Sequence, residues 1–240
     1  MAFNKLARFY DTVIGDRTQT GDYLHRLIVH NKPDAKTLLE LACGTGAILE
    51  ILARSYDVTG LDISPQMLSI ARRRLPHVRI FRQDMVKFDL GKKFDVIICV
   101  FDSINHVLKF ADWKKIFHRA AFHLTEEGLF LFDINTQAKL KRLIRAPIWV
   151  NPFGENLELI NVTDGRREIA NWNIKVFEHE TRDRYKLFEE NVKQISFSVK
   201  KITGALRQRF HEVKVIDPAG RPSSESDRLY FVCKKSSLRC

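Results

Sequence analysis

The chain contains little cysteine, and its cysteines are not grouped. The four of them, at positions 43, 99, 233 and 240, are scattered over 240 residues without a CxxC pair or a neighbouring cluster of histidines. A disulfide framework or a structural zinc site needs closely spaced ligands. The spacing therefore argues against both and predicts no metal site.

Long apolar runs are also missing. No stretch of about 18 consecutive apolar residues occurs, which is the length that a membrane-spanning helix requires. The N-terminal sequence MAFNKLARFYD lacks the basic-then-apolar pattern of a signal peptide. These absences predict a soluble, cytoplasmic protein without a membrane partner.

Acidic residues are outnumbered by basic ones. The chain has 29 Asp plus Glu against 40 Lys plus Arg, which gives a formal net charge of +11. A positive charge attracts anionic partners such as RNA, nucleotides or acidic metabolites. The basic residues are spread along the chain, so a solvated surface without a specific partner explains them equally well.

Between residues 37 and 134, short apolar runs alternate with amphipathic segments, as βαβ units do. The predicted strands are Thr37–Leu41, Asp57–Asp62, Val78–Arg82, Phe94–Val100 and Leu129–Ile134. The predicted helices between them are Ala47–Ser55, Pro65–Leu75 and Ala111–Leu124. Two further helices are expected upstream, over residues 2–10 and 20–30.

The pattern changes after Ile134. Residues 148–199 alternate apolar and polar side chains as antiparallel strands do, with a hairpin turn at Asp164–Gly165. A helix over 199–209 and two strands, over 212–216 and 228–234, follow. The whole chain is therefore predicted to be one α/β domain, with a seven-stranded, mostly parallel sheet, helices on both faces, and an antiparallel β insertion.

The turn after the first strand, Ala42-Cys43-Gly44-Thr45-Gly46, is the first candidate binding element. In an open parallel sheet, ligands bind beyond the carboxyl ends of the strands. Gly44 and Gly46 let the backbone approach a ligand closely, and Asp62 ends the next strand at the spacing typical of a ribose-binding acid. Leu49 stands where a dinucleotide fingerprint has its third glycine, which argues against pyrophosphate and nicotinamide cofactors.

A series of five motifs follows in order along the chain. They are TLLELACGTGAILEILA, VTGLDISPQML, FRQDMVKFDL, FDVIICVFDSINHV and EEGLFLFDINT. The series resembles that of the class I, Rossmann-like S-adenosylmethionine-dependent methyltransferases, over roughly residues 5–135. The resemblance implies S-adenosylmethionine as the cofactor and methyl transfer by direct displacement.

The resemblance also implies a set of cofactor-binding residues around that turn and the following strand ends. They are Tyr10, Tyr23, Glu40, Ala42, Cys43, Gly44, Thr45, Gly46, Asp62, Ile63, Met67, Gln83, Asp84, Met85, Phe101 and Asp102. Glu40 and the glycine turn would surround the methionine moiety of the cofactor, and Asp62 would bind its ribose. Residues 1–30 would form a helical lid, and residues 136–200 a substrate-covering insertion.

The acceptor is less well defined by the sequence. Direct displacement needs alignment of the acceptor more than a covalent residue. His106 is the candidate general base, with a structural histidine as the alternative, and Asp133 and Asn135 are candidates for orienting the acceptor. After the fourth strand, Val100-Phe101-Asp102-Ser103 replaces the Asn/Asp-Pro-Pro-aromatic box of enzymes that methylate base amines.

The leading hypothesis is therefore a methyltransferase that acts on a nitrogen or oxygen atom of a small molecule. Because the protein is positively charged, this acceptor could be anionic. Aromatic residues of the insertion could line its pocket, or could form the hydrophobic face of the insertion itself. They are Trp149, Phe153, Trp172, Phe177 and Tyr185. Alternatives are a tRNA or rRNA methyltransferase, favoured by the charge, and a non-catalytic cofactor-binding partner subunit.

Overall fold

Apolar runs separated by turn residues form a central sheet of seven strands in the computed structural model, which describes residues 4–236. Its strands are β1 Thr37–Leu41, β2 Asp57–Asp62, β3 Arg79–Arg82, β4 Phe94–Cys99, β5 Leu124–Asn135, β10 Glu212–Ile216 and β11 Arg228–Lys234. A second sheet of four strands follows β5 in sequence. Its strands are β6 Trp149–Phe153, β7 Asn156–Asp164, β8 Ala170–Thr181 and β9 Arg184–Gln194.

Seven α-helices connect or flank these strands in the described part of the chain. They are α1 Tyr10–Ile14, α2 Thr18–Asn31, α3 Ala47–Leu52, α4 Pro65–Arg74, α5 Phe110–His123, α6 Gln137–Arg145 and α7 Val199–Leu206. Local sequence explains where several begin. Ser64 accepts a hydrogen bond from Met67 N and Pro65 occupies the first turn of α4, while Thr136 caps α6 and Ser198 caps α7 in the same way.

The central sheet has the strand order β10-β11-β5-β4-β1-β2-β3. Strands β3, β2, β1, β4 and β5 are parallel, and β11 runs antiparallel between β5 and β10. The order reverses between β1 and β4. Such a reversal opens a crevice at the carboxyl ends of the two strands.

Two apolar cores lie on opposite faces of the central sheet. On one face, Trp113 of α5 and Ile202 of α7 pack with Phe130 and other residues of the sheet. On the other face, Leu24 of α2 and Leu49 of α3 pack with their own set of strand residues. The predicted fold class is thereby confirmed, with helices on both faces and an additional antiparallel sheet.

The N-terminal segment connects the two sheets. Backbone N–H groups of Asn4, Lys5 and Leu6 donate to the carboxylate of Glu190 on β9, at 2.9, 3.1 and 3.3 Å. The Ser64 hydroxyl donates to the side-chain oxygen of Asn4 at 2.7 Å, next to the end of β2. Residues 4–14 therefore cross the opening between the sheets.

Several predicted boundaries need correction. The strand predicted over 129–134 begins at Leu124, because β5 continues through Glu126, Glu127 and Gly128 and pairs with Phe94 before a register shift. Two glutamates followed by a glycine are typical of a loop, which is why the sequence pattern placed the start of this strand too late. Strand β3 begins at Arg79, and β4 ends at Cys99 because the left-handed φ of 56° at Phe101 turns the chain.

The N-terminal prediction was wrong in part. The helix expected over 2–10 is a turn over residues 4–9 followed by the short α1, and residues 1–3 lie outside the described part. Gly15, with a φ of 77°, ends α1 before Thr18 begins α2. Helix α6 was not predicted, and the turn expected at Asp164–Gly165 is a five-residue connection, 165–169, that includes a 3-10 helix at Arg166–Glu168.

Within residues 4–236, none of the helices combines the length and the apolar character needed to cross a bilayer.

Gly60 on β2 permits close packing of α3 against the sheet. A Cβ there would lie 2.6 Å from Leu49 Cδ1 and 2.9 Å from Cys43 Sγ, and both side chains are buried. We expect Gly60→Ala to lower the free energy of unfolding by about 1 to 3 kcal/mol, because α3 must move away.

Urea denaturation followed by circular dichroism measures this change. Gly204→Ala in α7 is the matched control, since a Cβ there meets no atom within 4 Å. The control should be neutral or stabilising by up to about 1 kcal/mol. Equal stability of wild type and Gly60→Ala would contradict the packing argument.

Candidate functional site

A cavity of about 480 Å³ lies between the carboxyl ends of the central strands and the inner face of the second sheet. Nine of the residues predicted to bind the cofactor line this cavity: Tyr10, Ala42, Gly44, Asp62, Ile63, Met67, Met85, Phe101 and Asp102. The candidate general base, His106, lines it as well. Residues of α1 and of the second sheet form its other walls. The topology therefore brings residues from distant parts of the sequence to one opening.

The two glycines of the turn after β1 serve different purposes. Gly44 has a φ of 55°, lines the cavity, and would place a Cβ in open space. Gly46 has a φ of 78°, and a Cβ there would lie 3.2 Å from Leu75 Cδ1 and 3.3 Å from Ala71 Cβ. Gly44 therefore leaves room for a ligand, whereas Gly46 leaves room for α4.

The carboxylate of Asp62 is held at the edge of the cavity by backbone donors. Gly44 N donates to its Oδ2 at 2.9 Å, and Ser64 N donates to its Oδ1 at 2.8 Å. Burial raises the pKa of Asp62, and these N–H groups oppose the increase. Each oxygen keeps a further lone pair, so the carboxylate can still accept hydrogen bonds from the hydroxyls of a ribose.

Two buried ionisable side chains, Glu40 and Arg17, lie next to the glycine turn without lining the cavity themselves. Glu40 is 3% exposed, and its Oε2 has no hydrogen-bond partner among the described residues. Arg17 is 7% exposed, and its Nη2 likewise has no partner there. Burial raises the pKa of Glu40 well above its usual value, and the charge of Arg17 opposes this. The Nη1 of Arg17 donates to Asp11 at 3.0 Å, so it is its Nη2 that remains available. The unpartnered Oε2 of Glu40 and Nη2 of Arg17 together fit an amino-acid zwitterion, such as the methionine end of the implied cofactor.

Aromatic rings surround the guanidinium of Arg17. Its Cζ lies 5.2 Å from the ring centre of Tyr10 and 5.6 Å from that of Phe101, within the range of a cation–π contact. Phe101 and Asp102, which follow β4 after Val100, have left-handed φ values of 56° and 48°. Such conformations are costly for residues other than glycine and occur preferentially at functional sites.

A polar cluster links the central sheet to the second sheet beside the cavity. Arg228 of β11 donates to Asp102 Oδ1 at 2.7 Å and also binds Asp133. Gln194 of β9 donates to Asp102 Oδ2 at 2.6 Å and accepts from the amide of Asn135 at 3.1 Å. The two oxygens of Asp102 therefore each have a protein partner, and Arg228 is shared between Asp102 and Asp133.

Asp133 lies at the bottom of this cluster, and it is fully buried. Burial raises its pKa to about 6, although Arg228 opposes the shift. Asp133 accepts from Asp102 N at 3.1 Å as well as from Arg228. The prediction that Asp133 orients an acceptor needs correction, because these contacts hold the turn after β4 and Asp133 does not line the cavity.

His106 ends a 3-10 helix, Ser103–His106, that follows β4. Its Nδ1 lies 3.2 Å from the carbonyl oxygen of Lys193, which can only accept, so Nδ1 carries the proton. Its Nε2 lies 3.4 Å from the amide nitrogen of Gln194. Burial lowers the pKa of His106 below its usual value, against the charge of Asp102, so the neutral imidazole with an acceptor Nε2 predominates at neutral pH.

Four residues predicted to contact the cofactor have other partners in this structure. Tyr23 packs against the ring of Tyr230 with 5.1 Å between the centroids. The Thr45 hydroxyl donates to Asp11 at 2.7 Å. Cys43 is buried in the core with Leu49. Their side chains are directed to packing or to the N-terminal segment, and Gly46 contacts α4 as described.

The acidic loop after β3 also differs from expectation. Gln83 accepts from Asp89 N at 2.9 Å, and Asp84 accepts from Val86 N at 2.9 Å, so both side chains stabilise the loop. Of this segment, Met85 lines the cavity. Within the second sheet, Trp149 and Trp172 line the cavity and Phe153 packs against Phe9.

Several cavity residues were not predicted from the sequence. They are Lys139, Glu158, Gln194 and Arg228, together with Arg17 behind the turn. For Arg17 the sequence offers one indication, namely that a cationic residue lies between the two helices predicted over residues 2–10 and 20–30. The others lie on strands or on an unpredicted helix, where inward orientation follows only from the register of the sheets.

Comparisons with known proteins agree with this geometry. Residues 38–128 match a family described as a methyltransferase domain. The chain is similar to the dTDP-3-amino-3,6-dideoxy-alpha-D-glucopyranose N,N-dimethyltransferase of Streptomyces fradiae, with 32% identity over 75% of this chain and 66% of that enzyme. It is also similar to the putative methyltransferase YqeM of Bacillus subtilis, with 25% identity over 98% of both chains.

Among solved structures, an S-adenosylmethionine-dependent methyltransferase from Clostridium acetobutylicum superposes with a TM-score of 0.86. Its sequence identity is 26%, and the superposition covers 98% of this chain and 100% of that one. The similarity includes both sheets, and the Gly44 turn, Asp62 and the orphaned pair Glu40 and Arg17 fit the cofactor of that family. The chain belongs to the class I S-adenosylmethionine-dependent methyltransferases.

Proposed function

We propose that this methyltransferase transfers a methyl group to an amine nitrogen of a small amino sugar. The observation that carries the proposal is a single cavity whose lining includes Gly44 and Asp62, residues of the inner face of the second sheet, and His106. The relative from Streptomyces fradiae is named for methylating the amino group of a nucleotide-linked sugar. The relatives named above give no support to RNA as the acceptor.

The cofactor would lie along the carboxyl edge of the central sheet. Glu40 and Arg17 would bind the amino and carboxylate groups of its methionine end, beside the backbone at Ala42 and Gly44. Asp62 would bind the ribose hydroxyls. Ile63 at 44% exposure, Met67 and Met85 offer apolar contacts for the adenine. Direct roles for Tyr23, Cys43, Thr45, Gln83 and Asp84 stay predictions.

When bound, S-adenosylmethionine supplies a methyl group that its sulfonium already activates. The protein then has to orient the acceptor nitrogen and exclude water. An amine that arrives as an ammonium ion must lose a proton before it can act as a nucleophile, and the Nε2 of His106 is placed to accept one. Residues 4–14 and the second sheet would exclude water by covering the cavity.

A cytoplasmic location is part of the proposal. Cys43, Cys99 and Cys233 are buried free thiols. Unpaired cysteines of this kind are typical of proteins that fold in a reducing compartment.

Combining Asp62→Ala with Gly44→Val should weaken S-adenosylmethionine binding roughly a hundredfold or more. The variant loses the carboxylate at the cavity edge and fills the space that Gly44 leaves open. Isothermal titration calorimetry measures the affinity, and circular dichroism checks that the variant folds. Asp57→Ala, at the exposed start of the same strand, is the control and should bind as wild type. Unchanged binding by the double variant would reject this cofactor site.

The acceptor class is tested by methyl-labelled S-adenosylmethionine with three acceptors in parallel. These are a dTDP-linked 3-amino-3,6-dideoxyglucose, its 3-hydroxy analogue and total RNA. We expect label on the amino sugar, because the cavity offers a neutral base and small-molecule dimensions. Label confined to RNA or to the hydroxy analogue would contradict the proposal.

His106→Ala should retain cofactor affinity and slow methyl transfer by roughly 10²- to 10⁴-fold, the usual range for loss of a general base. Because burial lowers the pKa of His106, the imidazole stays neutral at and above its ordinary pKa and becomes protonated only at lower pH. The ratio of wild-type to variant rate should therefore fall as the pH drops through that lowered value. Single-turnover rates between about pH 5 and 9 measure the ratio. A ratio near one at neutral pH would make His106 a structural residue.

A further inference from the structure

The inner face of the second sheet carries two polar regions at opposite ends of the cavity. Near the reacting end, Gln194 contacts Asp102 and His106. At the other end, Glu158 of β7 lines the cavity and accepts a hydrogen bond from Asn151 of β6 at 3.3 Å. Apolar cavity residues lie between them: Ile160, Ile174, Val176 and Val192.

Glu158 is a buried carboxylate with little compensation. It is 6% exposed, burial raises its pKa, and within residues 4–236 the Asn151 amide is the one group that donates a hydrogen bond to its carboxylate. A carboxylate removed from water is costly unless it is hydrogen-bonded or paired. Its position in a cavity wall points to a hydrogen-bond donor that comes with the ligand.

An exposed aromatic side chain stands beside this carboxylate. Trp149 and Asn151 are two residues apart on β6, and they pair with Ile160 and Glu158 of β7, so all four lie on one face of the sheet. Trp149 lines the cavity at 61% exposure, and Ile14 of α1 lines it at 44%. An open aromatic face next to an amide and a carboxylate is suited to a ring that carries a donor group.

The register of the strands gives the separation of the two regions. Gln194 pairs with Ala170, which pairs with Asp164 at the end of β7. Glu158 stands six positions before Asp164 on β7, which is roughly 20 Å along the strand at about 3.3 Å per residue. A group bound at Glu158 is therefore too distant to be the atom that receives the methyl group.

We propose that Trp149, Asn151 and Glu158 form a distal subsite for a second ring of an elongated acceptor, and that this ring offers an N–H or O–H donor to Glu158. The proposal rests on the proposed function, because it assumes that the amine occupies the region of His106. A nucleobase and a second sugar both have this chemistry. The acceptor would thus be a two-part molecule with its methylated amine and its recognition ring at opposite ends.

The test uses thymidine 5′-diphosphate and methyl α-D-glucopyranoside as probes of the two ring types, titrated calorimetrically into protein saturated with S-adenosylmethionine. We expect at least one probe to bind. Trp149→Ala and Glu158→Gln should each weaken that probe roughly five- to tenfold, because each removes a ring contact or a charged acceptor. The probe that binds identifies the ring.

Matched controls come from the same sheet. Tyr185→Ala removes another aromatic residue, 51% exposed on the outer face, and Glu180→Gln neutralises an exposed carboxylate on β8. Both should bind the probe as wild type, and all four variants should keep wild-type affinity for S-adenosylmethionine.

Binding of neither probe by wild type, or equal binding by wild type, Trp149→Ala and Glu158→Gln, would overturn the subsite. The proposed function is judged separately by label transfer to the amino sugar. If a probe binds at the subsite but the amino sugar is not methylated, the amino-sugar acceptor is rejected and the distal subsite is retained.

Discussion

The hydrogen bond from Gly44 N to the carboxylate of Asp62 is the interaction on which the site depends. It joins the turn after β1 to the end of β2, and Ser64 N holds the second carboxylate oxygen. Since β1 and β2 are parallel neighbours, the two elements meet at one edge of the sheet. Together the two bonds fix the direction of the buried carboxylate and compensate part of its desolvation.

The opposite wall is held by charge compensation across distant segments. Arg228 of β11 forms ion pairs with both Asp102 and Asp133, and Gln194 then connects Asp102 to the second sheet. A buried carboxylate without such a partner would favour protonation or movement. The cluster therefore positions the second sheet over the central one, and its hydrogen bonds occupy both carboxylate oxygens of Asp102.

Sequence patterns were sufficient where the cause is local. The glycine turn, Asp62 and the strands on either side follow from short-range periodicity and turn chemistry, and the fold class follows from their alternation. Arg17, Gln194 and Glu158 could not be found in this way, because their roles depend on register between strands far apart in sequence. The start of β5 was missed since pairing with β4 outweighs the loop-like residues Glu126 to Gly128.

The attachment of the N-terminus to Glu190 uses main-chain donors only. A contact made to N–H groups is indifferent to which side chains those residues carry, apart from proline. A substitution of the exposed Lys5 would consequently leave this closure intact. The register of the segment depends instead on side chains: Asn4 hydrogen-bonds to Ser64, Leu6 is buried in the core of the second sheet, and Phe9 packs against Phe153 and Phe188. The main-chain hydrogen bonds to Glu190 thus hold the segment in place, whereas its side chains determine which residues of the segment face the two sheets.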